Sequence, residues 1–115
     1  MDACTPKILF EQRIQEKLQL PEYKRESDEL GAIYQFHIDG ESGGDWAIDL
    51  VHRQVRAGVD PKAQCTFSLS DEDLMRFVRG EISAPKLILK RRLKLQGQVS
   101  LALKLHHVLS AHNRA

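Results

Sequence analysis

In residues 70–109, SDEDLMRFVRGEISAPKLILKRRLKLQGQVSLALKLHHVL, apolar side chains crowd more densely than a small core requires, and the pattern reads as helix, short helix, strand and long helix. Ser70 with Asp73 three positions on makes a capping box, and Asp71, Glu72 and Asp73 stand where a helix N-terminus favours negative charge. Gly80 closes that helix. Ser83 supplies a second N-cap ahead of the unbroken apolar run Leu87, Ile88 and Leu89, and the basic cluster Lys90, Arg91, Arg92 and Lys94 follows directly. Leu93 and Leu95 alternate with Lys94 and Gln96 as in a half-buried strand, and Gly97 marks the turn out of it.

The helix expected from about Gln98 carries Val99, Leu101, Ala102, Leu103, Leu105, Val108 and Leu109, with a narrow polar stripe through Ser100, Lys104 and His107. This apolar arc is wider than the seam of a two-layer domain. Such a helix is covered on two sides by protein, or on one side by protein and on another by a greasy ligand. Periodicity leaves both open: a well-buried core helix, or one wall of a lipid cavity.

Working back to the start, Thr5 then Pro6 is a capping hydroxyl followed by a residue pre-set for the first helical position. Phe10, Ile14 and Leu18 recur at i, i+4 spacing beside Leu9, so this helix buries one stripe. Pro21 ends it, and residues 22–30 read as a charged loop or frayed turn. From Gly31 the period becomes two, with Tyr34, Phe36 and Ile38 on one strand face and Ile33, Gln35 and His37 on the other. Gly43 and Gly44 mark a hairpin loop. Beyond it Trp46, Ile48 and Leu50 alternate with Ala47, Asp49 and Val51 in an antiparallel partner. A weaker strand is expected over 53–57, and Cys65, Phe67 and Leu69 mark a fourth. The layout is α+β in one domain over 1–115: a leading helix and loop over 1–30, strands over 31–69, helices and the last strand over 70–115.

At 115 residues the chain builds a core without disulfide staples, and its 42% hydrophobic and 29% charged residues are those of an ordinary globular protein. A formal net charge of +1 gives no global pull toward nucleic acid, so any electrostatic preference is local to residues 86–94. Cys4 and Cys65 belong to no Cys-x-x-Cys pair, which leaves zinc and dithiol chemistry without a spacing and fits a reduced interior. No apolar run approaches the roughly 20 residues that span a bilayer, no signal sequence is legible, and Asn113-Arg114-Ala115 is not the peroxisomal address. The expected compartment is the cytoplasm.

Several pieces together look like the sterol carrier protein type-two, or nonspecific lipid transfer, family. These are Gly31-Ala32-Ile33-Tyr34-Gln35-Phe36, Trp46-Ala47-Ile48-Asp49-Leu50, residues 63–70 with Asp73-Leu74 and Gly80, and Leu93-Lys94-Leu95-Gln96-Gly97 with residues 101–105. The resemblance runs in order from Gly31 to Leu109. It implies a five-stranded, mostly antiparallel sheet covered on one face by helices and enclosing a hydrophobic tunnel. It also implies binding of fatty acid, fatty acyl-CoA, sterol, phospholipid or isoprenoid, for transfer or presentation. The chain looks like a free-standing member. It departs from the pattern where Arg91-Arg92-Leu93-Lys94 replaces the family's Gly-Lys-Leu-Lys, making that edge more cationic, and where Ile88 and Leu89 replace a frequent pair of Phe. Pro85 also lies one place later than usual.

No residue set reads as catalytic, and no metal or cofactor is expected. Adjacent His106 and His107 diverge by about 100° on a helix, too far to ligate one metal as an i, i+4 pair would. His37 and Asp39 share a strand face and read as a surface polar pair. Asp49, between Ile48 and Leu50, is expected to face away from the core, and Cys65 reads as a buried apolar cysteine. Nucleic acid is not an expected partner, because the basic cluster lacks interleaved aromatics.

The expected lipid-binding lining, from the inward phase of each element, is Phe36, Ile48, Leu50, Leu74, Phe77, Val78, Ile82, Ile88, Leu101, Leu105 and Leu109, each of which also reads as ordinary core. Lys90, Arg91 and Arg92 are the expected headgroup or membrane contact, beside aliphatic residues facing bilayer or acyl chain. The short helix around Leu87 and the end of the last helix are the expected lid. Expected partners are a lipid or fatty acyl ligand, a transient anionic membrane surface and a lipid-metabolic enzyme. Two alternatives stand beside this: the same fold with a filled interior as an interaction or accessory subunit, and an enzyme with a lipid-sized cone, which would need a buried acid or base.

Overall fold

The computed structural model describes residues 5–21, 25, 28, 29, 31–98, 100 and 101. The first helix, α1, starts where Thr5 is extended and its hydroxyl accepts the Ile8 N–H at 3.3 Å. It runs as α-helix over Pro6–Ile8, widens into a π-helix over Leu9–Ile14 and closes as α-helix over Gln15–Leu18. The expected stripe of Leu9, Phe10, Ile14 and Leu18 is buried.

Five strands follow: β1 Ile33–Asp39, β2 Gly44–Asp49, β3 Gln54–Ala57, β4 Cys65–Ser70 and β5 Lys94–Gly97, in the order β3-β2-β1-β4-β5. β1 and β4 are parallel and the other neighbours antiparallel. Register sets Phe36 opposite Trp46 and Phe67, and Tyr34 opposite Ile48 and Cys65. Phe10 of α1 stacks on Trp46 with centroids 5.0 Å apart and tilts against Phe36 at 5.1 Å, while Phe36 stacks on Phe67 at 4.7 Å. That aromatic column fixes the helix-covered face. Polar bonds then clamp α1 across the sheet: Trp46 Nε1 donates to Glu11 Oε2 at 2.8 Å, Val55 N–H to Gln15 Oε1 at 2.6 Å, and Gln19 Nε2 to the Arg53 carbonyl at 2.6 Å.

The second face of the sheet is also covered near its middle, by the loop after β3. The Asp60 N–H donates to Gln35 Oε1 at 2.8 Å, and Gln35 Nε2 donates to the carbonyls of Gly58 at 3.1 Å and Trp46 at 3.2 Å. Gln35, on the face opposite Tyr34 and Phe36, is therefore buried. Asp49 does lie on this second face but is only 1% exposed. Its carboxylate accepts from the backbone N–H groups of Val51 and His52, from His52 Nδ1 at 2.8 Å and from Arg56 at 2.8 Å, and Arg56 reaches on to Asp60 at 2.7 Å. The expected His37–Asp39 pair is replaced by His37–Asp45, because antiparallel register puts Asp45 directly opposite His37.

After β4, Ser70 caps helix α2, Asp71–Val78, by accepting the Asp73 N–H at 3.1 Å. Ser83 caps α3, Ala84–Leu89, by accepting the Lys86 N–H at 3.4 Å. α3 ends in a Schellman turn: the Arg92 N–H reaches the Leu87 carbonyl at 2.8 Å and the Arg91 N–H the Ile88 carbonyl at 3.0 Å. Arg91 holds the left-handed position, at φ 61. Ser100 and Leu101 are helical. The rest of the expected last helix, with Leu105, Leu109, His106 and His107, lies outside the described residues, as do Cys4 and most of the 22–30 segment.

Candidate functional site

α1 and α2 meet over β1 without closing completely. Between them lies an apolar cleft of about 110 Å³, walled by Leu9, Phe10 and Ile14 of α1, Leu74, Phe77 and Val78 of α2, and Phe36 of β1, with Arg13 and Lys17 the two cations on its wall. The hydrophobic period of α2 explains its share: Leu74, Phe77 and Val78 stand at i, i+3, i+4 and so lie on one face. Phe36 reaches the cleft because alternation turns it to the helix side.

Four of the expected lining residues, Phe36, Leu74, Phe77 and Val78, thus come together. Ile48, Leu50 and Ile82 are buried in the hydrophobic cluster but do not wall this cleft. Leu101 is half-buried, and its carbonyl accepts from the Tyr34 hydroxyl at 2.9 Å, which ties the start of the final helical segment to the sheet. Ile88 is 45% exposed. Leu105 and Leu109 lie outside the described residues. The sequence does not single out the α1 side of the cleft as part of a site, although its i, i+4 stripe is legible. A stripe says that a helix buries one face, not which helix it meets.

The expected headgroup residues separate. Arg92 Nε lies 3.6 Å from the buried Asp73 carboxylate, which Arg76 also approaches at 3.6 Å. Arg91 and Arg92 line an open groove of about 450 Å³ together with Lys94, Ser68, Ser70, Leu69, Asp39 and Asp73. Lys90 is exposed beside it.

Titratable groups behave as packing groups. Burial pushes the Cys65 thiol up, keeping it protonated and poorly nucleophilic. Burial, with a smaller contribution from Cys65, pushes Tyr34 to about 12. At Asp49 burial acts upward, but hydrogen bonds from the His52 side chain and backbone and from Arg56 outweigh it, so the carboxyl sits below its usual range. Among the described residues no three His, Cys, Asp or Glu side chains converge to hold a metal, and no helix is long and apolar enough to cross a membrane.

A family model described as "SCP-2 sterol transfer family" matches residues 11–110. Hydroxysteroid dehydrogenase-like protein 2 of Rattus norvegicus is 29% identical over 85 residues, 71% of this chain and 16% of that protein. The chain spans about a fifth or less of the length of the curated relatives it matches. Sterol Carrier Protein 2 from Yarrowia lipolytica, in its apo form, superposes with a TM-score of 0.73 at 23% identity, over 93% of this chain and 88% of that one. Palmitated SCP2L2 from Aedes aegypti superposes with a TM-score of 0.71 at 24% identity, over 91% and 94%.

Proposed function

Because the chain belongs to the SCP-2 sterol transfer family, we propose that it binds the hydrophobic part of a lipid between its helices and sheet and carries or presents it to a membrane or a lipid-metabolic enzyme. The observation that carries this reading is the apolar cleft of about 110 Å³ where Phe36, Leu74, Phe77 and Val78 face the α1 stripe. The ligand class is fatty acid, fatty acyl-CoA, sterol, phospholipid or isoprenoid. A similar fold from Aedes aegypti, SCP2L2, has been solved in palmitated form.

Transfer energy supplies the mechanism. Each buried methylene contributes about 0.8 kcal/mol, so a long acyl chain offers roughly 10 kcal/mol before the cost of immobilising it. The cleft approaches the ~150 Å³ of an apolar cavity that accepts benzene, which is room for one end of such a chain. Binding then needs no specific polar contact, and selectivity comes from volume and from the groups at the mouth.

Presentation to an enzyme is supported by the match to one segment of a hydroxysteroid dehydrogenase-like protein. A carrier rather than a catalyst is supported by the chemistry of the interior, where Cys65 and Tyr34 are held protonated and Asp49 is enclosed by its own hydrogen-bond partners. Native mass spectrometry of the chain purified from its host, with extraction of co-purifying lipid, tests the reading together with displacement of a fluorescent fatty acid. A lipid adduct and saturable displacement are expected; a bare mass and no saturable binding of fatty acid or sterol analogues would refute it.

A further inference from the structure

The end of α3 brings three independent features to one point. Leu89 is 82% exposed and its neighbour Ile88 45%, whereas Leu87 in the same short helix is fully buried. Residues 84–94 hold five cations, Lys86, Lys90, Arg91, Arg92 and Lys94, and no acid. Arg91, which closes the helix, sits in a left-handed conformation that a residue with a Cβ adopts at a cost.

Placement separates these cations by what they face. Arg92 is committed to Asp73. Lys86, Lys90 and Arg91 are exposed, and among the described residues none is held in an ion pair. Lys86 stands three positions before Leu89 and four before Lys90, so the three share one side of the helix end. The groove alongside, of about 450 Å³, adds Lys94 and the hydroxyl residues Ser68 and Ser70, with Asp39 and the engaged Asp73 as its acids. An aliphatic tip ringed by unpaired cations matches a surface that is oily a few ångströms below a layer of negative charge.

We infer that the α3–β5 corner is a docking tip for an anionic lipid bilayer: Leu89 and Ile88 enter the acyl boundary while Lys86, Lys90 and Arg91 meet the headgroup phosphates. This sharpens the membrane side of the carrier reading and rests on it for its purpose. Its measurement is independent of cargo. The tip projects from the short helix between α2 and β5, so docking leaves the cleft between α1 and α2 formed by other residues.

The test is co-sedimentation of the full chain with phosphatidylcholine vesicles, with and without phosphatidylglycerol, beside fluorescent fatty acid binding in solution. Association is expected with the anionic vesicles and to weaken with salt. Leu89→Ser lowers it about tenfold, from the loss of one buried leucine side chain. Lys90→Gln with Arg91→Gln lowers it about 25-fold, at about fivefold for each cation. Both leave circular dichroism unchanged, since these side chains are exposed. Lys62→Gln, a cation removed from the loop after β3, leaves vesicle association unchanged. Indifference to phosphatidylglycerol, wild-type association of Leu89→Ser, or an equal loss in Lys62→Gln would overturn the inference. Vesicle docking without fatty acid binding would instead sustain the tip and remove the carrier reading.

Discussion

Replacing Arg91 by glycine is expected to make the protein more stable and less able to dock, two effects of opposite sign from one side chain. At φ 61 the Arg91 backbone is in the left-handed region, where a Cβ crowds the following carbonyl and costs about 1–2 kcal/mol. Glycine removes that cost but gives the unfolded chain more freedom, worth about 0.4–1 kcal/mol. The Schellman bonds at 2.8 and 3.0 Å are made by backbone groups and survive the change. The net gain is about 0.5–1 kcal/mol, which in a chain of this size raises the melting temperature by roughly 2–5 °C. Thermal and urea unfolding followed by circular dichroism measure it, and the vesicle assay reads a loss of about fivefold for the missing cation. Unfolding at a lower temperature than the parent would refute the assignment of strain to Arg91. The position is also where the family resemblance places a glycine, so a cation here is a departure with a conformational cost.

Val78→Phe should fill the cleft of about 110 Å³, weakening fluorescent fatty acid binding while keeping or raising stability, by at most about 2.6 kcal/mol at ~24 cal/mol per Å³; a loss of more than about 1 kcal/mol would show that no room exists there. Asp49→Ala leaves the backbone N–H groups of Val51 and His52 without their acceptor and Arg56 with Asp60 alone, and should cost about 1–3 kcal/mol in urea unfolding. The depressed Asp49 carboxyl also sets a pH dependence: its contribution is present above the unfolded value near ~3.9, falls as pH drops through the folded one, and should be missing from acid unfolding of Asp49→Ala. Tyr34, pushed up to about 12, should ionise well above an ordinary tyrosine in spectrophotometric titration, with its contribution to stability complete below about pH 10 and lost as pH rises toward 12; a single ordinary titration of both tyrosines would contradict its burial.

Much of the fold was legible because its signals are local. Alternation marked β1, β2 and β4, and Ser70 and Ser83 marked helix starts that the structure places at those residues. What escaped depends on distant parts of the chain. Asp49 reads as facing away from the core, and it does, yet the turn after β2 and Arg56 of β3 enclose it, while the loop after β3 returns to cover Gln35 on the same face. Sequence offers no period for such a return. The π-helical widening of α1 over Leu9–Ile14, the segment from which Phe10 stacks on Trp46, has no composition signal. His37 pairing with Asp45 follows from register, which alternation alone does not set. In the site, the inward phase of Phe36 and the helical face of Leu74, Phe77 and Val78 could be read, while their α1 counterparts required tertiary packing.

The two faces of the sheet differ in what opening them would cost, and for the proposed carrier that difference bears on where a ligand would enter. Lifting the loop from the second face strands Gln35, a buried group whose unmet bonds cost about 1–3 kcal/mol apiece. α1 is similarly held, by the bonds of Glu11, Gln15 and Gln19 to Trp46, Val55 and Arg53. α2 is pinned at its N-terminal end, where Asp71 accepts the Ser42 N–H at 3.0 Å and Asp73 meets Arg92. Toward its other end Leu74 and Val78 pack in the core through apolar side chains, which hold no donor or acceptor to strand. Parting them from α1 uncovers apolar surface that an incoming acyl chain covers again. For the proposed carrier, the apolar seam between α1 and the C-terminal end of α2, where the cleft already lies, is the opening to test first, and it stands apart from the charged network around Asp49.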